Sequence, residues 1–126
     1  MTSILRALLL GSAVAAAAPA MAENLKIGIL FGFTGPIESL TPPMADGAEL
    51  AMKEVSDSHL LRGGDTVTAV RGDSTCTDAS AATAAAERLV TVDKIVALVG
   101  ADCSGVPTAV LNNVAVPNNL LMISPS

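Results

Sequence analysis

Apolar runs and polar breaks alternate along the chain in a repeating strand–helix order. Leu25-Lys26-Ile27-Gly28-Ile29-Leu30-Phe31 is almost continuously apolar, the pattern of a strand buried on both faces. Gly32-Phe33-Thr34-Gly35-Pro36 breaks it. Beyond Pro42-Pro43 the period becomes helical and predicts a helix over residues 44–57. Met44, Ala48, Ala51, Met52 and Val55 share one face of it. Asp46, Glu49, Lys53 and Asp57 share another, with Glu49 and Lys53 at i,i+4 spacing. Arg62-Gly63-Gly64-Asp65 is a turn, and the β-branched residues of 66–70 predict a second strand. A polar loop over 72–76 follows. Thr77 or Asp78 then caps an alanine-rich second helix that runs to about residue 91. Residues 95–100 form a third strand. Ser104 is placed to cap a third helix with Pro107 in its first turn, where proline is tolerated. Val106, Ala109, Val110, Asn113 and Val114 keep a helical period. Pro117-Asn118-Asn119 ends that helix, and residues 120–124 form a fourth strand.

The order βαβαβαβ predicts an α/β fold. It is a doubly wound parallel sheet with helices on both faces and right-handed connections. The expected strand order is 2-1-3-4, with the switch point between strands one and three. The turns 32–40 and 102–105 flank that point, at the edge where such sheets take small ligands. The chain stops two residues after the fourth strand, with no helix to cover it and no fifth strand beside it. An open apolar edge is a liability, so 23–126 is expected to be the N-terminal part of a longer protein. No internal repeat is visible.

The first residues change the picture of where the chain works. One positive side chain, Arg6, precedes an apolar run over 7–18, and Ala20 and Ala22 are small residues at A-x-A spacing. This is the pattern of a secretory signal peptide, here residues 1–22, cleaved after Ala22. The run is too short for a bilayer, which needs roughly 20 apolar residues. Two cysteines in an exported chain are expected to pair, two free buried thiols being the alternative. A Cys76–Cys103 bridge would close a loop of about 27 residues and stabilise by roughly 3 to 4 kcal/mol on the chain-entropy model. In the expected strand order Cys76 must reach across the end of strand one, which the loop 72–76 permits. The net charge is −5, with no Trp or Tyr and only two Phe. An acidic chain without basic clusters or stacking aromatics excludes nucleic acid as a partner.

Candidate chemistry concentrates at Gly100-Ala101-Asp102-Cys103-Ser104-Gly105. Ser104 as a nucleophile lacks the G-x-S-x-G elbow, since Asp102 stands two residues before it, and lacks a nearby histidine. The only histidine, His59, falls at the other end of the strands and reads as an exposed helix-end residue. Gly28, Gly32 and Gly35 are spaced G-x-x-x-G-x-x-G, which is not the dinucleotide fingerprint. Two cysteines and one distant histidine do not make a zinc site, and Asp46, Glu49, Glu54 and Asp57 read as a solvated helix face. No catalytic residue, cofactor or metal is therefore expected. What remains is an anion site. The Ser104 hydroxyl with the N–H groups of Gly105 and Val106 suits a carboxylate, the alternative being a plain helix cap.

Several segments together carry a family resemblance. They are Lys26-Ile27-Gly28, Thr34-Gly35-Pro36, Gly47-Ala48-Glu49-Leu50-Ala51, the stretches 73–76 and 100–104, and Leu121-Met122-Ile123-Ser124-Pro125. Over 23–126 the chain resembles the N-terminal lobe of periplasmic leucine/isoleucine/valine-type binding proteins, type I lobes that act as solute receptors of ATP-binding-cassette importers. The resemblance implies a periplasmic receptor, not an enzyme, for branched-chain or related amino acids, with a membrane permease as partner. An amide, urea or amino-acid sensor built on the same lobe is the alternative, and a secreted enzyme fragment a more distant one. By the same resemblance, Ser104 matches a serine that binds the ligand's α-carboxylate, and Ser126 a residue whose backbone touches the ligand. Leu40 falls where an aromatic residue often stands. Asp102 replaces a small or apolar residue and is expected to face the ligand and disfavour an anionic or large apolar one. Cys76 and Cys103 match a disulfide of some members. The acidic partner for the ligand's ammonium would come from a second lobe.

Overall fold

The computed structural model describes residues 21–126. Residues 1–20, and with them nearly all of the expected leader over 1–22, lie outside the described residues. Four strands, β1 (Asn24–Phe31), β2 (Thr66–Asp73), β3 (Ala97–Gly100) and β4 (Leu121–Ile123), form one sheet in the order β2-β1-β3-β4. Every pairing is parallel, with Ile27 opposite Ala69 on one side and Ala97 on the other. The doubly wound fold and its strand order are thus as the sequence predicts. β2 runs three residues further than its β-branched stretch, because β1 goes on pairing with it through Leu30–Gly72 and Phe31–Asp73.

Three helices cover the sheet: α1 (Thr41–Asp57), α2 (Ala79–Arg88) and α3 (Val106–Val110). α2 and α3 each run on into one π-helical turn, Leu89–Asp93 and Leu111–Ala115. Asp78 caps α2 by accepting the N–H groups of Ser80 and Ala81. Leu30 and Leu98 of the sheet pack with Ala82, Ala86, Leu89, Val106, Val110 and Val114 into one apolar layer. Ile29, Phe31, Ala45 and Met52 form a second layer on the opposite face.

α1 differs from expectation in two ways. It begins at Thr41, so Pro42 and Pro43 lie in its first turn rather than ahead of it. The first N–H groups of a helix have no intrahelical partner, so proline there removes no bond. The buried Thr41 hydroxyl donates to the Gly32 carbonyl at 2.9 Å and joins the helix start to the end of β1. The buried stripe is Thr41, Ala45 and Met52, while Met44 and Val55 are exposed. The reason is that α1 packs chiefly on β2. Its flank toward β3, with Ala51 and Val55, therefore borders an open apolar groove of about 290 Å³ floored by Ile27, Val67 and Val99.

One side chain meets the outer edge of β2 at Val67. The Ser56 hydroxyl accepts the Val67 N–H at 2.8 Å and lies 3.2 Å from the Val67 carbonyl and 2.9 Å from that of Met52. Edge groups left open invite pairing with another chain. Ser56→Ala is expected to lower stability by about 1 kcal/mol through the unpaired Val67 groups. Urea denaturation checks this, and an unchanged midpoint would refute it.

Candidate functional site

Each strand delivers a polar turn to the carboxyl edge of the sheet, and hydrogen bonds tie these turns to one another. The Gly32 N–H, just past β1, donates to Asp102 Oδ2 at 2.8 Å. The Ser74 hydroxyl, just past β2, donates to Asp102 Oδ1 at 3.0 Å. The Ser74 N–H donates to the Phe31 carbonyl at 2.8 Å, and the Cys76 N–H to Ser74 Oγ at 3.3 Å. A disulfide joins Cys76 to Cys103, spanning the end of β1 as the loop length allows. Beyond β4, the Ser124 hydroxyl donates to the Ala101 carbonyl at 2.6 Å. The turns after β1 and β2 also touch directly. Gly35 has φ +94°, and a Cβ there would stand 2.7 Å from the Thr75 carbonyl oxygen, so only glycine fits.

Asp73 anchors a second knot at this edge. Its carboxylate accepts the Thr34 hydroxyl at 2.6 Å, the Thr75 N–H at 2.9 Å and the Thr34 N–H at 3.3 Å. Partial burial pushes the Asp73 carboxyl up, but these bonds from Thr34 and Thr75 outweigh it and hold the group below the usual carboxylate range. Neither Asp73 nor Ser74 stood out as a site residue in the sequence. The signal that finds them is a polar pair directly at the carboxyl end of a strand whose neighbours end in Thr34 and Asp102.

The sequence-predicted residues fare differently from one another. Ser104 is exposed, and its hydroxyl makes no hydrogen bond among the described residues. It is not the cap of α3. That position belongs to Gly105, with no side-chain bond to the helix. The tight turn that precedes α3 is closed by the Val106 N–H, which donates to the Cys103 carbonyl at 2.8 Å. The correction is twofold: the plain-cap role of Ser104 fails, and the Val106 N–H is engaged within the turn. The exposed Gly105 has nothing within 4 Å of the place a Cβ would take, so its backbone is open to approach.

Both oxygens of Asp102 are met from within the protein, by the Gly32 N–H and the Ser74 hydroxyl, because donors from two neighbouring turns converge on it. Ser126 is exposed, and its N–H donates to Ser124 Oγ at 3.2 Å, so its carbonyl end extends the turn after β4. Leu40 is exposed at the start of α1 and stands outside the hydrogen-bonded network. His59 follows α1, whose last turn packs at the amino end of β2 through Ser56 and Val67, so no histidine reaches Ser104. No cluster of three His, Cys, Asp or Glu capable of holding a metal occurs among the described residues. No helix among them is long and apolar enough to cross a membrane.

A doubly wound parallel sheet with polar turns gathered and cross-linked at its carboxyl edge belongs to the class of α/β lobes that take small ligands there. The chain belongs to the periplasmic binding protein family, whose profile matches residues 24–126. It is 34% identical over 99 residues to Leu/Ile/Val-binding protein homolog 7 of Brucella melitensis, a match that covers 79% of this chain and 24% of that one. The chain therefore spans about a quarter of the length of the curated relatives it matches. Among solved structures, it superposes on the branched-chain amino acid transporter substrate-binding protein LivJ of Streptococcus pneumoniae, in complex with isoleucine. The TM-score is 0.72 at 29% identity, over 82% of this chain and 29% of that one. It shares the fold of a substrate-binding protein of Desulfitobacterium hafniense in complex with Leu, with a TM-score of 0.67 at 23% identity, over 82% and 29% of the two chains.

Proposed function

We propose that this chain forms part of the first lobe of a periplasmic receptor that hands branched-chain or related amino acids to the permease of an ATP-binding-cassette importer. The observation that carries the reading is Ser104. It has an exposed hydroxyl without an internal partner, beside the open backbone of Gly105, on a turn joined by a disulfide to its neighbour. A zwitterion needs donors for its carboxylate and an acceptor for its ammonium. Ser104 Oγ–H and the Gly105 N–H supply the donors, and the exposed backbone of Ser126, in the turn after β4, is a further contact in this reading. Leu40 offers apolar surface at the start of α1. No residue of this edge acts as a catalyst in this reading, since a nucleophile without a base holds a ligand but does not turn it over. The relatives named for leucine, isoleucine and valine support the ligand class.

Calorimetric titration of the complete gene product with leucine, isoleucine and valine tests the proposal, with amides and urea as competitors. Binding of at least one of the three amino acids is expected. A hydrogen bond to a charged group contributes about 1.5 to 3 kcal/mol, so Ser104→Ala should weaken binding about ten- to hundredfold. Absence of binding to all three would overturn the reading.

A further inference from the structure

Asp102 occupies a place where nothing in the ligand-binding reading requires a charge. It lies two residues past β3, between the buried Ala101, held by Ser124, and the disulfide-bonded Cys103. Its carboxylate reaches a donor from each of two other strands: the Gly32 N–H after β1 at 2.8 Å and the Ser74 hydroxyl after β2 at 3.0 Å. Ser74 is completely buried and holds its own turn, donating its N–H to the Phe31 carbonyl and accepting the Cys76 N–H. One side chain thus links the ends of three adjacent strands. A carboxylate is suited to this because it only accepts and can take several donors, and bonds to an ionised acceptor are about twice as strong as neutral ones. A small or apolar residue at 102 would leave the Gly32 N–H and the Ser74 hydroxyl without those partners, and the β3 turn without its tie to β1.

Ser104 sits two residues further along the same turn. A carboxylate pointing outward there would repel a carboxylate ligand. Turned inward and met by two donors, it serves the turn instead. We propose that Asp102 is a positioning residue for solute binding. It does not touch the solute, but its carboxylate fixes the Ser104–Gly105 turn against the turns after β1 and β2. The role of the turn rests on the receptor reading above, whereas the fixing of its geometry does not.

The test uses the complete gene product and the variants Asp102→Ala, Asp102→Asn, Ser74→Ala and the double alanine. Asparagine can remake both bonds without charge, since its carbonyl accepts the Gly32 N–H and its amide donates to Ser74 Oγ. Two measurements are made: amide hydrogen exchange at Gly32, Ser104 and Gly105 without ligand, and calorimetric leucine affinity. Asp102→Ala is expected to speed exchange at Gly32 and to weaken leucine binding, each about tenfold. Asp102→Asn should stay within about threefold of the parent in both. Ser74→Ala should shift both in the same direction, and the double variant should be less than additive, as expected for one network. Unchanged exchange in Asp102→Ala overturns the proposal. So does an asparagine variant that keeps slow exchange yet binds leucine as weakly as the alanine variant, because the charge would then act on the ligand directly. Should the parent bind no leucine, the receptor reading fails, while the exchange data still decide whether Asp102 fixes the turn. Should Asp102→Ala fail to fold, Ser74→Ala and Asp102→Asn carry the same decision.

Discussion

Gly100→Ala is expected to abolish folding. Gly100 closes β3 with φ +127°, a conformation that a side chain strains by about 1 to 3 kcal/mol. Space makes the substitution worse. A Cβ there would lie 2.2 Å from the Leu30 carbonyl oxygen and 3.0 Å from its carbon. Leu30 is completely buried in the central strand, directly opposite Gly100 in the register. Relief would require moving backbone of β1 away from β3, not rotating a flexible side chain. That breaks the pairing at the site edge and the packing of Leu30 and Leu98 beneath it. A domain stable by roughly 5 to 15 kcal/mol does not absorb such a displacement. The measurement is circular dichroism and soluble yield, with Gly47→Ala as control. Gly47 lies within α1 with nothing within 4 Å of its Cβ position, so alanine there should be neutral or stabilise by up to about 1 kcal/mol. A Gly100→Ala protein with the parent's denaturation midpoint would refute the argument.

Loss of the Cys76–Cys103 bridge is expected to cost about 3 to 4 kcal/mol by the chain-entropy estimate for its 27-residue separation. The closed segment contains α2 and β3, and with them Ala82, Ala86, Leu89 and Leu98 of the larger apolar layer. Releasing it frees a large part of the core in the unfolded chain. Urea denaturation of Cys76→Ser/Cys103→Ser should give a midpoint well below the parent, and the parent in reductant should match the double variant. A difference under about 1 kcal/mol would show that the denatured chain already holds these segments together. The Asp102 bonds go to Gly32 and Ser74 and involve neither cysteine side chain, so combining the variants separates the two contributions.

Much of the architecture is legible in single segments. The unbroken apolar run of β1, the helical period after Pro43 and the glycine and proline breaks give element type and order. Helices on both faces with right-handed crossovers then make the sheet doubly wound, and that arrangement gives the strand order. The pairing of Cys76 with Cys103 follows once export is read from the first residues. The faces of α1 are less legible. Met44 and Val55 belong to the helix's apolar stripe but are exposed, since the stripe is wider than the strip of sheet that α1 covers. Ser104 reads as a cap because a serine before a helix usually is one. The backbone places Gly105 at that position instead, which leaves the hydroxyl free.

The sequence by itself determined the alternation of elements, the class of sheet and the edge at which polar residues collect. Periodicity and turn chemistry are local, and each acts over a few residues. Only the tertiary structure decided which polar groups are tied to one another and which are left exposed. Gly32 and Asp102 are 70 positions apart, and Ser74 and Asp102 are 28 apart, so no window of the chain contains both partners. Folding brings three strand ends together. There the geometry turns Asp102 inward as an acceptor and leaves the Ser104 hydroxyl exposed, although only Cys103 separates the two residues.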